Sequence, residues 1–382
     1  MELVKLGKVA DFINGKAFKP SDWEDKGKKI IRIQNLNDCS KPYNRTLQNV
    51  EDKYLVYPND ILVSWSASLG VFEWKDSEIA VLNQHIFKVV PDEKLICKPY
   101  LKYALDKSID LMLKYTHGST MKHINRQEFL NIEIPLPPIA SQRRIADILD
   151  KADEIIRKRK EAIALTEQLQ KSIFLDMFGD PVINPKGWEV VQLSKIADFE
   201  NGDRSSNYPS GKDIIENGIL FLNTKNIVNN QLNLGIKQYI SEEKFNSLTR
   251  GKLKKGDLLI TLRGTLGNCC IFESEYRTGF INAQMMIIRV KPNISNKFIH
   301  ALLTSKQLNN FLQMIGNGAA IPQLTAKQIK ELGVYNPPIE LQNKFSDFIE
   351  KITKLKEKHY QNLQESENLF NSLLQKAFKG EL

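Results

Sequence analysis

Residues 334–345 read "VYNPPIELQNKF", and residues 135–142 read "PLPPIASQ". After each proline pair come about 40 residues with no proline and no internal glycine. Proline holds φ near the helical value and lacks an N–H that the first turn could not satisfy, so a proline pair ahead of a periodic run marks a helix start. The pattern predicts helices over 139–178 and 339–379, each about 60 Å long at 1.5 Å per residue. Ile145, Ile148, Leu149, Ala152, Ile155, Ile156, Ile163, Leu169 and Ile173 recur at three- and four-residue steps in the first. Phe345, Phe348, Ile349, Ile352, Leu355, Leu363, Phe370 and Leu373 do so in the second. A long helix with one narrow apolar stripe needs a partner, and the two bury each other most simply as an antiparallel coiled coil. The alternative is that each packs on its own globular part.

The two proline pairs belong to a larger repeat. "VKLGKVADFINGKAF" near the N-terminus is echoed by "VQLSKIADFENGDRS" from Val191, and "NDILVSWSASLG" by "GDLLITLRGTLG". "VLNQHIF" matches "INAQMMI", pairing Gln84 with Gln284, and from there the separation is expected to hold at 200 residues. Length differences would then fall only in the first half of each unit, where surface loops carry binding residues. Within each unit, β-rich runs such as "DILVSW" and "DLLITL" mix with turns and a helix, "KPYLKYALDKSIDLMLKY". The expected fold class is α+β: two globular domains of mixed α and β structure related by an internal repeat, at 1–138 and 180–338. The two long helices at 139–178 and 339–379 separate them.

Composition narrows the function. The 382 residues are 42% hydrophobic and 26% charged, and no apolar run approaches a membrane span. "MELVKLGKVADF" lacks the apolar core of a signal peptide, so a cytoplasmic location is expected. Cys39, Cys97, Cys269 and Cys270 have neither Cys-x-x-Cys nor zinc-finger spacing and read as free thiols. Net charge is +9. Residues 180–338 hold 19 basic against 13 acidic side chains, residues 1–138 hold 20 against 18, and both helices are nearly balanced. A phosphate-facing surface is expected mainly on the second domain.

No catalytic motif survives inspection. Asn336-Pro337-Pro338-Ile339 resembles the Asn-Pro-Pro-aromatic loop of DNA amino-methyltransferases, but Ile339 cannot stack on an extruded base. The matching Leu136-Pro137-Pro138-Ile139 lacks the Asn altogether. "PDEK" (91–94) compresses a nuclease-like acidic set into one turn, and "RGTLG" and "GNG" lack phosphate-loop spacing. The five histidines form no metalloprotease or triad pattern.

Domain, proline pair and long helix, repeated once and ending in "AFKGEL", strongly resemble the specificity subunit of type I restriction-modification systems. That resemblance implies two target recognition domains, each reading one half of a split double-stranded DNA site, held apart by helices acting as a spacer. It also implies a chain without catalysis of its own. Two adenine-modifying methyltransferase subunits and restriction/translocase subunits would be its partners. S-adenosylmethionine, ATP and Mg²⁺ would belong to those partners, leaving no cofactor or metal here.

The family supplies no base-reading motif, so candidates come from side-chain chemistry in turn-rich segments. Arg, Asn and Gln suit bidentate base contacts, while Lys, Ser and Thr suit phosphates. In the first domain the candidates are Lys16, Arg32, Gln34, Asn35, Ser64, Trp65, His117, Ser119, Thr120, Lys122 and His123. In the second they are Arg204, Asn207, Tyr208, Lys225, Asn226, Arg263, Thr265, Asn317 and Gln323. Two rival functions stand beside this one, a self-sufficient methyltransferase or nuclease and a coiled-coil scaffold without a DNA role.

Overall fold

The structure, a computed structural model, describes residues 2–66, 68–114, 116–117, 123–203, 205–316 and 322–382. The chain forms two compact units, one of residues 1–160 with 361–382, the other of residues 161–360. Among the described residues no helix is long and apolar enough to cross a membrane.

Six strands organise the first unit: β1 (Ala10–Asn14), β2 (Lys28–Ile31), β3 (Ile61–Ser64), β4 (Gly70–Glu73), β5 (Ala80–Leu82) and β6 (Ile86–Pro91). An antiparallel sheet has the order β1-β6-β3-β4, and β2 pairs in parallel with β5 in a second sheet. Side chains alternate faces along a strand. Ile61 and Val63 therefore enter the core beneath helix α1 (Lys98–Lys114), while Leu62 joins Ile31, Trp74 and Leu82 on the other side. Burial on both faces explains why "DILVSW" reads as an unbroken apolar run.

After Pro137-Pro138 comes the long helix α2 (Ile139–Phe178). Its start is clamped by Gln142, which is fully buried. The Gln142 amide donates to the carbonyls of Pro137 at 2.8 Å and Leu95 at 2.9 Å, and its oxygen accepts from the Cys97 N–H at 2.8 Å.

The second unit repeats the plan with β7 (Ala197–Asn201), β8 (Ile219–Leu222), β9 (Leu258–Thr261), β10 (Cys269–Ile271), β11 (Gly279–Ile281) and β12 (Met285–Val290). The sheet order is β7-β12-β9-β10, and β8 pairs in parallel with β11. Leu258 and Ile260 pack toward helix α3 (Asn296–Thr304), Leu259 toward Leu222 and Ile281. Helix α4 (Ile339–Lys379) starts under a second clamp. Gln342 donates to Pro337 and to the Asn336 side chain, and accepts from Ser295 N–H. Asn336 is thus part of a helix start.

Matched hydrogen bonds fix the register of the repeat. Trp65 N–H donates to the His85 carbonyl in one unit, and Leu262 N–H to the Gln284 carbonyl in the other. Gln284 therefore occupies the place of His85, and the pairing of Gln84 with Gln284 is one residue off. The matched Cys97 and Ser295 contacts stand 198 apart and the matched clamps 200 apart. Single-residue length differences thus continue beyond the first half of the unit.

Each unit contains one helix start and the end of the other helix. In the first, Phe378 stacks on Tyr100 at 5.6 Å, Phe370 meets Tyr103 at 6.1 Å, and Lys160 pairs with Glu367 at 3.1 Å. Tyr103 joins Asp150 of α2 to Phe370 of α4, and Lys160 further along α2 meets Glu367, so these segments run antiparallel. In the second, Phe174 and Phe178 pack on Phe345, Phe178 meets Phe298 at 4.7 Å, and Glu167 pairs with Lys356 at 2.6 Å. The sense is again antiparallel. The stripe departs from expectation at Ile155, Leu169, Phe348 and Leu355, which are exposed. Thr166 is buried instead, its hydroxyl bonded back to the Ala162 carbonyl.

Candidate nucleic-acid interface

In the first unit the segments after β1, β2 and β3 and the turn between β5 and β6 meet at one edge of the sheets. Lys16 N–H donates to Leu82 O, Gln84 N–H to Lys16 O, and Trp65 N–H to His85 O. The Trp65 indole donates to the Asn14 side chain at 3.1 Å, and the Ser68 hydroxyl to Asn37 at 3.3 Å. Close approach here depends on Gly15, where a Cβ would lie 2.0 Å from the Asn83 carbonyl oxygen.

The same edge forms in the second unit. Asn282 N–H donates to Leu222 O, Leu262 N–H to Gln284 O, and Leu324 N–H to Leu262 O. Gly202 lies where a Cβ would come 2.0 Å from the Asn282 carbonyl. Beside it, burial opposes ionisation of Asp203, yet hydrogen bonds from Ser205 and the charge of Arg250 hold its carboxyl below the usual value. That carboxylate fixes the loop through the Ser205 N–H at 2.6 Å.

Several candidates face outward on these segments. Gln34, Asn207, Lys225, Arg263 and Thr265 are exposed. Arg263 Nε donates to Gln323 Oε1 at 3.1 Å, and their backbones form a bridge, so a guanidinium and a carboxamide sit side by side. Lys16 and Arg32 are half-buried and braced: Lys16 by Gln48 and the Phe18 ring, Arg32 by Asn44 and the Trp23 ring. Tyr208 packs edge-on against Phe221, and burial pushes its phenol up. Trp65 lies 5.6 Å from Phe87 and 5.0 Å from His85, mostly in the core.

Three candidates are corrected by their surroundings. Asn35 and Asn226 are buried, and each amide bonds to two loop carbonyls, those of Lys41 and Pro42 and those of Asn233 and Ile236. Each oxygen accepts from the N–H of the residue three before it, Arg32 or Asn223. These asparagines shape the loops and present nothing to a ligand. Ser64 is also buried, with its hydroxyl bonded to the Ser68 carbonyl, as Thr261 does to Thr265. Ser119, Thr120, Lys122, Arg204 and Asn317 lie outside the described residues, as do the side chains of His117 and His123. The backbones of those two histidines pair across a short hairpin.

Sequence reasoning passed over Gln284, which is exposed and whose carbonyl holds the residue before Arg263. Its place in a three-residue turn between two apolar strands was the available signal. Among the described residues, no group of three or more His, Cys, Asp or Glu side chains is placed to hold a metal ion.

Comparison with known proteins agrees with this duplicated architecture. The family model for the type I restriction modification DNA specificity domain matches residues 1–165 and again 185–365. The specificity subunit of the type I restriction enzyme EcoBI from Escherichia coli is 26% identical, covering 99% of this chain and 85% of that protein. The MjaVIII specificity subunit from Methanocaldococcus jannaschii is 23% identical, with 98% and 91% covered. The crystal structure of a type I restriction-modification S subunit from M. genitalium superposes with a TM-score of 0.60 at 16% identity, covering 99% and 96%. Two tandem recognition modules and two long helices define a specificity-subunit architecture. The chain belongs to the type I restriction-modification DNA specificity family.

Proposed function

We propose that this chain selects the DNA sequence for a type I restriction-modification complex, each loop edge reading one half of a two-part duplex site. The recognition domains are residues 1–138 and 180–338, and the helices 139–178 and 339–379 set the distance between half-sites and dock methyltransferase subunits. The observation that carries the reading is the repeated edge itself: in both units, polar loops gather at one end of a rigid pair of sheets, tied by equivalent backbone hydrogen bonds. Two readers joined by helices of nearly equal length, 40 and 41 residues, suit a split site with constant spacing.

The chain supplies recognition and no bond chemistry in this reading. Base modification, cleavage and ATP-driven translocation fall to two methyltransferase subunits and to restriction subunits, which carry S-adenosylmethionine, ATP and Mg²⁺. The complex works in the cytoplasm. Co-expression with a methyltransferase subunit, followed by mapping of modified adenines, tests this directly. A split motif with two defined halves is expected, and a continuous or absent motif refutes it. Arg263→Ala should relax one half only, at about 1–3 kcal/mol for a base contact, and Gln323→Ala should act on the same half.

A further inference from the structure

Besides Lys225 and Arg263 on its loop edge, the second unit carries a further group of cations elsewhere. Lys252, Leu253, Lys254, Lys255, Arg277 and Thr278 line a groove of about 500 Å³. A second groove of about 460 Å³ shares Lys254 and Lys255 with it and continues past Lys291 to Lys297. Residues 252–256 precede β9, Arg277 precedes β11 and Lys291 follows β12, whereas the loop edge lies at the other end of all three strands. Among the described residues, the Lys254, Lys255 and Arg277 side chains are exposed and enter no ion pair or hydrogen bond. Arg289 is different, since Asp257 and Glu200 neutralise it.

The track is not part of the shared scaffold. Asp60 accepts from Tyr57 N–H as Asp257 accepts from Lys254 N–H, so Tyr57 and Pro58 stand where Lys254 and Lys255 do. Asp92 N–H donates to Val9 O as Lys291 N–H donates to Ile196 O, placing an aspartate where the second unit has a lysine. At these three places the first unit carries neutral or acidic groups, and Lys98, which stands where Asn296 does, is paired with Asp60 at 3.6 Å.

We propose that this basic track is a second, sequence-independent contact for the phosphate backbone of the duplex, found only on the second unit. It deepens the DNA-reading function and rests on it. Unpaired cations in a continuous open groove match a repeating line of negative charge, and they carry no base information. An acidic protein segment could also answer charge, but the groove lacks the aromatic anchors on which protein interfaces depend. The strand β9 that separates track from loop edge has four residues, about 13 Å. Duplex continuing past the half-site and curving toward the unit would reach the track.

The test uses the full chain assembled with methyltransferase subunits, as parent and as the triple variant Lys254→Gln, Lys255→Gln, Arg277→Gln. Both are titrated over a salt series with two duplexes, one ending at the half-site of the second unit and one extended beyond it by about 15 base pairs. Each phosphate contact contributes about 0.9 to the slope of log K against log salt. The variant should lose about 2–3 from the slope on the extended duplex, with little change on the short one and with half-site preference intact. Equal slopes for parent and variant on the extended duplex would overturn the track. So would impaired subunit assembly with unchanged slopes, which would assign the groove to an acidic protein. If the parent complex prefers no sequence at all, the reading of function fails instead.

Discussion

The Gln342 side chain donates to the Pro337 carbonyl at 2.8 Å while accepting from Ser295 N–H, tying the start of α4 to the start of α3. The helix start and the globular part thus form one rigid piece. Gln342→Leu keeps the bulk and removes the bonds. Leaving Ser295 N–H and the Pro337 carbonyl buried without partners should cost about 2–3 kcal/mol, measured as a lower denaturant midpoint. Gln142→Leu should act similarly through Cys97 and Pro137.

Gly15→Ala and Gly202→Ala place a methyl 2.0 Å from a backbone carbonyl, so the turn itself must move. Overpacking of this kind costs about 1–3 kcal/mol. Each variant should weaken recognition of one half-site and spare the other. Methylation mapping with one half of the motif degraded would show it, and equal effects on both halves would contradict independent edges.

Leu374 and Ala377 of α4 lie in the core of the first unit beside Tyr100 and Leu149. Leu374→Ala should destabilise that unit by about 2–4 kcal/mol. Hydrogen exchange should accelerate in β1, β3 and β6 and stay unchanged in β9 and β12.

Burial raises the phenols of Tyr100, Tyr103 and Tyr335, and a hydrogen bond to Asp150 adds to the effect at Tyr103. A group whose folded value is raised keeps its contribution below the unfolded value, here 10.0, and loses it as pH rises beyond. Stability should therefore fall from about pH 10 upward. Tyr103→Phe should flatten the fall, read from melting temperatures across the alkaline range.

The repeat and both helices were legible in the sequence because proline pairs, 3.6-residue stripes and doubly buried strands leave periodic traces. The loop edges left weaker ones. Asn35 and Asn226 looked like base readers because they are polar residues in loops, yet each sits three residues after the residue whose N–H it caps. That spacing resembles the reciprocal bonding of helix starts, and it separates loop builders from ligand readers. Gln142 and Gln342 were visible as matching letters, but their complete burial could be known only from the packing of the segment before α1 or α3. The charge surplus of residues 180–338 could be counted from the sequence. That Lys254, Lys255 and Arg277 share one border depended on strand direction, which composition does not encode.

The first unit is built from two stretches far apart in the chain, residues 1–160 and 361–382. Phe378 cannot reach Tyr100 until synthesis has passed residue 378, whereas the unit of residues 161–360 has all of its parts earlier. Domains commonly fold as units in the order they leave the ribosome. Here the order is expected to be inverted: the unit translated first stays open until residues 361–382 have been made, whereas the other has all its parts by residue 360.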